Sequence, residues 1–86
     1  MKLSRDFISH DTGSENLLVP TGNAKFSGLV RGNRTFGVIL ELLKKETTEG
    51  EIIAAMKARF DVSEEIIIRD VEKALTELRK IGALDE

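Results

Sequence analysis

The chain has 86 residues, a net charge of −2 from 13 Lys and Arg against 15 Asp and Glu, one His, and no Cys, Trp or Tyr. The missing cysteines exclude disulfides, thiolate metal sites and thiol nucleophiles, and a lone His excludes a multi-histidine metal centre. At 41% hydrophobic and 33% charged residues this is the composition of one globular domain over residues 1–86, with a core too small to divide between a substrate domain and a cofactor domain.

The first residues, Met1-Lys2-Leu3-Ser4-Arg5-Asp6, carry charge where a signal peptide needs an apolar run of about 7–15 residues. No apolar stretch approaches the roughly 20 residues of a membrane span, so a cytoplasmic location without a membrane partner is expected. Phe7 to Asp11 is short and rich in β-formers, Asp11-Thr12-Gly13-Ser14 has turn chemistry, and Asn16 to Val19 is a second extended run halted by Pro20. Thr21-Gly22-Asn23-Ala24 is a second turn. Lys25 to Arg31 is then expected as a third strand, with Phe26, Gly28 and Val30 on one face and Ser27, Leu29 and Arg31 on the other.

The remainder has helical periodicity. Thr35 is a candidate N-cap for a helix whose apolar side holds Val38, Ile39, Leu42 and Leu43. Thr48-Glu49-Gly50-Glu51 has the pattern of a capping box, opening a helix with Ile52, Ile53, Met56 and Phe60. Ser63 is a candidate cap for the last and longest helix, from Glu64 to about Ile81, with Gly82 as its C′ residue. On this helix Ile67, Val71 and Leu78 form the centre of an apolar stripe; Ile68 and Leu75 flank it on one side, Ala74 and Ile81 on the other. The stripe is about 140° wide, more than one packing partner requires, and Ile66 falls outside it. Ala83-Leu84 is expected to fold back as an apolar tail. The expected fold is α+β and winged-helix-like, a three-stranded antiparallel sheet followed by three helices, with strands over about 7–31 and helices over about 35–82.

Little in this pattern supports catalysis, and no enzymatic role or cofactor is expected. Ser9, His10 and Asp11 are neighbours on one strand, so alternate side chains point to opposite faces and cannot converge. The glycines match neither GxGxxG nor GxxxxGK[ST]. Charge is split: residues 1–44 hold six basic and four acidic residues, residues 45–86 seven and eleven. A winged-helix DNA-binding protein is the alternative reading, but Arg69, Lys73, Arg79 and Lys80 are interleaved with acids. The last helix is therefore expected to carry a solvated, ion-pair-laced face, and nucleic acid is an improbable partner. Peptide binding is the remaining class. The third strand ends the meander and offers an open edge for strand addition, with Gly28 allowing close backbone approach and the wide stripe of the last helix as a wall. Periodicity alone leaves that stripe equally assignable to core; a structural homodimer in which the open edge pairs with its own copy is a further alternative.

Three segments resemble the coenzyme PQQ synthesis protein D family. Leu29-Val30-Arg31-Gly32-Asn33-Arg34-Thr35-Phe36 through Leu43 is similar to its Asn-x-Thr-then-helix signature. Thr47-Thr48-Glu49-Gly50-Glu51-Ile52-Ile53 through Glu65 is similar to its central block, and Asp70-Val71 through Ile81-Gly82-Ala83-Leu84 to its closing helix. Leu40 stands where the family often has Trp, and Phe36 and Gly37 where small residues are usual. The resemblance covers residues 7 to 84. It implies a recognition element for ribosomally made, post-translationally modified peptides, a non-catalytic peptide chaperone that adds the precursor's leader segment to the third strand and presents it to a radical SAM maturase. Carried over residue by residue, it implies a strand wall of Phe26, Ser27, Gly28, Leu29 and Val30 and a helix wall of Ile67, Ile68, Val71, Ala74 and Leu75, with no catalytic or metal-binding residues.

Overall fold

A computed structural model describes all residues, 1–86. Eight elements follow in order: β1 (Lys2–Leu3), β2 (Phe7–Asp11), β3 (Asn16–Pro20), β4 (Val30–Gly32), α1 (Arg34–Leu42), α2 (Glu49–Arg59), α3 (Glu64–Lys80) and β5 (Leu84–Asp85). The main sheet is antiparallel, in the order β2-β3-β4.

The β2–β3 hairpin forms where the turn chemistry places it. The Asp11 carboxylate accepts from the Gly13 N–H at 2.8 Å, the Thr12 hydroxyl accepts from the Glu15 N–H at 3.1 Å, and Gly13 takes φ +92°, which an L side chain would resist. The register runs from Phe7 opposite Pro20 to Asp11 opposite Asn16. Phe7 and Leu18 turn inward and are buried, while Ile8, His10 and Val19 face out. Pro20 is tolerated in the central strand because β4 reaches only Asn16, Leu17 and Leu18, leaving no ladder bond for it to donate on that side.

The third strand is much shorter than its alternation suggests: Val30–Gly32 rather than Lys25–Arg31. The Thr21 carbonyl accepts from the Ala24 N–H at 3.1 Å in a turn, and Gly28 at φ +135° is incompatible with a regular strand. Phe26 still turns inward, its ring 6.4 Å from that of Phe7, so its apolar side chain is satisfied without strand pairing.

α1 starts two residues earlier than Thr35 would place it. Asn33 is the N-cap and its side-chain oxygen accepts from the Phe36 N–H at 3.0 Å. The expected α1 stripe widens to include fully buried Leu40, because the helix packs on the sheet and on both other helices. Thr48 caps α2 through the Glu51 N–H at 3.1 Å; the reciprocal bond of a capping box is replaced by a 3.4 Å contact between the Thr48 hydroxyl and the Glu51 carboxylate. Ser63 holds the N-cap position of α3 but its hydroxyl makes no capping bond. At the other end Gly82 (φ +74°) donates to Arg79 at 3.1 Å and Ala83 to Leu78 at 2.9 Å, the paired bonds of a Schellman motif, with Ala83 and Leu78 both buried in the core.

The tail after Gly82 does fold back, as an unexpected second sheet: β5 pairs antiparallel with β1, Lys2 opposite Asp85 and Leu3 opposite Leu84. Bonds from Leu3 N–H to the Leu43 carbonyl and from Ser4 N–H to the Ala83 carbonyl, both 2.8 Å, tie this sheet to the ends of α1 and α3. The core is contiguous: Phe7 and Leu18 from the sheet, Ile39, Leu40 and Leu43 from α1, Ile52 and Met56 from α2, and the inner face of α3. No helix is long and apolar enough to cross a membrane.

Candidate functional site

β4 has one strand neighbour, β3, so its other edge is open. That edge looks onto a concavity of about 330 Å³ bounded by Val30, Arg31 and Gly32, by the start of α1, and by α3 residues Asp70, Lys73, Ala74 and Glu77. A second hollow of about 190 Å³ continues it, sharing Val30, Phe36 and Glu77 and adding Leu78, Lys80 and Ile81. Together they form one groove, with an apolar floor from Val30, Phe36, Leu78 and Ile81 and a charged lip along α3.

The loop between β4 and α1 shapes this groove. Gly32 has no side chain to resist Phe36, which lies against it: a Cβ at Gly32 would meet Phe36 Cδ2 at 2.1 Å and Cβ at 2.6 Å. Gly37, one turn into α1, makes the same allowance for Asn16, whose amide nitrogen donates to the Asn33 carbonyl at 3.3 Å. The run Arg31-Gly32-Asn33-Arg34-Thr35-Phe36-Gly37 thus supplies the edge strand, the helix cap, the aromatic floor and two close approaches that only glycine permits.

The ten residues expected at the site are dispersed. Val30 and Ala74 line the groove. Ile67, Val71 and Leu75 are buried in the core beneath it. Ile68 sits on the opposite flank of α3, in a hollow shared with Ile53 and Ala54 of α2. Phe26 packs against the core, and Ser27, Gly28 and Leu29 lie on the exposed segment leading into β4, Leu29 being 47% exposed.

The groove residues not expected at the site are the polar ones, which the sequence assigned to a solvated helix face. Asp70, Lys73, Glu77 and Lys80 line the groove, and none forms an ion pair. The expected ion-pair-laced face is therefore not formed within α3; its ion pairs run outward, Glu64 to Lys57 of α2 at 2.9 Å and Arg79 to Glu86 at 3.0 Å. Hydrogen bonds from Arg79 hold the Glu86 carboxyl below the usual carboxylate value and raise the Arg79 guanidinium in turn.

On the other side of α1, a polar hollow of about 290 Å³ is lined by Ser9, His10 and Asp11 with Arg34, Lys44 and Arg59. The Asp11 carboxylate is engaged by the Gly13 N–H, and the Arg34 guanidinium lies 5.9 Å from the centre of the Phe60 ring.

A short sheet whose β4 edge is open, followed by three helices of which the last faces that edge across a groove, defines a winged-helix-like α+β domain. The sequence matches the family described as coenzyme PQQ synthesis protein D (PqqD) over residues 17–84, and the chain belongs to this family. Two solved structures share the fold. TbiB1 in complex with the TbiA(beta) leader peptide superposes with a TM-score of 0.76 at 22% identity, over 99% of this chain and 100% of that one. A lasso peptide synthetase B1 complexed with the leader peptide gives 0.75 at 16% identity, over 95% of this chain and 93% of that one. No curated protein matches the sequence.

Proposed function

We propose that this chain is a non-catalytic peptide chaperone that binds the leader of a ribosomally made precursor by strand addition to β4. The observation that carries the reading is the open β4 edge facing α3 across a groove with an apolar floor. Membership of the PqqD family supports it, as does the likeness to two proteins whose structures hold leader peptides. An extended peptide takes main-chain hydrogen bonds from β4 and places alternate side chains toward Phe36, Leu78 and Ile81. Val30 and Ala74 are its strand and helix walls. Phe26, Ser27, Gly28 and Leu29 lead the chain into the strand wall, and Ile67, Ile68, Val71 and Leu75 fix α3 behind the groove. Each ladder bond contributes only about 0.5–1.5 kcal/mol net, so the apolar floor must add to it. A short leader should reach roughly micromolar affinity, about −8 kcal/mol.

The bound precursor is presented in the cytoplasm to a radical SAM maturase, the partner implied by the family resemblance, in PQQ biosynthesis or a related pathway. A homodimer can form through β2, which also has a single strand neighbour.

The test uses a twelve-residue peptide selected by this protein from a random display library and resynthesised with single N-methyl groups. Strand addition requires that methylation weaken binding at alternate residues of the short segment that pairs with β4 and leave the residues between them near the unmethylated peptide, because only alternate N–H groups face β4. Uniform sensitivity, or none, would refute strand addition.

A further inference from the structure

We propose that the charged row on α3, Asp70, Lys73, Glu77 and Lys80, sets the register of the strand added to β4, and that the groove selects an extended peptide with oppositely charged residues two positions apart. The inference rests on the strand-addition reading above and adds the chemistry of the peptide.

A ladder of main-chain bonds carries no sequence information, and it is restored when the added strand slides by two residues. The apolar floor of Val30, Phe36, Leu78 and Ile81 discriminates weakly too, since a shifted strand brings other apolar side chains over it. What remains along the groove is charge. The four side chains alternate in sign and follow one another at spacings of three, four and three residues, so they stay on one side of the helix. At 1.5 Å per residue, successive charges lie about 4.5–6 Å apart along the axis and the row spans about 15 Å. Side chains on one face of an extended peptide recur about every 6.7 Å. The two spacings are close enough for flexible side chains to bridge, so a peptide with alternating charges on its α3-facing side meets opposite charges in one register. A slide of two residues sets like charges against each other.

The row is free to do this. Each of the four is exposed, and none is engaged in an ion pair, although the three- and four-residue spacings place neighbours within reach of one another on the helix surface. The acids and bases balance, so the row adds no net attraction for a charged polymer; it distinguishes order of charge rather than amount.

The test is selection of random twelve-residue peptides by the wild-type chain and by the double variant E77K/K80E, which preserves net charge and alters two exposed positions. Circular dichroism melts verify that the variant folds. The wild type should enrich peptides whose charges alternate in sign at every second residue, and the variant, whose row becomes acid, base, base, acid, should enrich peptides with the two charges facing positions 77 and 80 exchanged. A wild-type-selected peptide should bind the variant about tenfold more weakly, as two exposed pairs change from attraction to repulsion. A peptide inverted only at the two charges that face positions 77 and 80 should recover that loss, and the difference should shrink at high salt. If both proteins enrich the same peptides, and N-methylation still weakens binding at alternate residues, the charged row has no role in register while strand addition stands. If the wild type enriches no peptide, the groove reading fails and this inference with it.

Discussion

Gly32→Ala tests the junction between the edge strand and the groove floor. Gly32 does not lie at positive φ, so the substitution imposes no backbone strain of its own; its cost is steric. A methyl group there would lie 2.1 Å from Phe36 Cδ2, 2.5 Å from Cγ and 2.6 Å from Cβ. Rotation about χ1 moves the ring but not the Phe36 Cβ, so a rotamer change alone cannot relieve the overlap. The start of α1 has to move away from β4. Overpacking of this kind costs about 1–3 kcal/mol, a fall in melting temperature of roughly 5–20 °C for a domain of this size. Urea denaturation of the wild type, G32A, F36A and G32A/F36A gives the cycle. With the Phe36 ring removed the two shorter overlaps are gone and the Cβ contact at 2.6 Å remains, so the double variant should be more stable than additivity predicts by about 0.5–1 kcal/mol. Because Phe36 lines both parts of the groove, G32A should also weaken peptide binding when measured well below its melting temperature. A loss of stability below about 0.5 kcal/mol, or an equal loss with and without Phe36, would show that Gly32 is not where the chain makes room for the aromatic ring.

Asn33→Ala should destabilise by about 1 kcal/mol through loss of the α1 cap, whereas Thr35→Ala and Ser63→Ala, which remove no capping bond, should stay within about 0.5 kcal/mol; chemical denaturation separates them. Gly82→Ala should cost about 1 kcal/mol for purely conformational reasons, since a Cβ there would touch nothing within 4 Å but φ is +74°; Gly82→Asn should cost less. Glu86 is held below its usual value of 4.5 by the Arg79 hydrogen bonds, so its folded carboxyl releases its proton more readily than the unfolded one. That contribution is present above the unfolded value and lost as pH falls through the folded one, so the gap in melting temperature between wild type and E86Q should close in acid.

Local chemistry in the sequence was enough for the elements that are themselves local. The β2–β3 hairpin follows from Asp11, Gly13 and the alternation on either side, and the end of α3 follows from Gly82. Elements defined by partners far away in sequence were not readable. β1 and β5 are two residues each, too short for any period, and exist because Lys2–Leu3 and Leu84–Asp85 meet across the whole chain. The third strand was overextended for a related reason: Phe26 and Val30 do both face inward, but of Lys25 to Arg31 only Val30 and Arg31 have β3 beside them, and Gly28 breaks the geometry before them. Two cap-forming residues two positions apart, Asn33 and Thr35, competed for the N-cap of α1, and the choice of Thr35 set its start two residues late.

Of the expected helix wall only Ala74 lines the groove; Ile67, Val71 and Leu75 lie beneath it and Ile68 on the other flank of α3. Hydrophobic periodicity marks what the fold itself buries, and on α3 it marks Ile67, Val71 and Leu75, which the domain's own core consumes. A groove that must admit a partner has to lie where the core is not, on the shoulder of that stripe, where Ala74, Leu78 and Ile81 give way to Asp70, Lys73, Glu77 and Lys80. In sequence this shoulder looks like any solvated helix face. The role proposed for these four charges depends on the sheet ending at β4 and leaving an unpaired edge opposite them. The two flanks of the over-wide stripe meet different surroundings. The flank with Ile68 and Leu75 is where α2 packs, and the flank with Ala74 and Ile81 opens onto the groove.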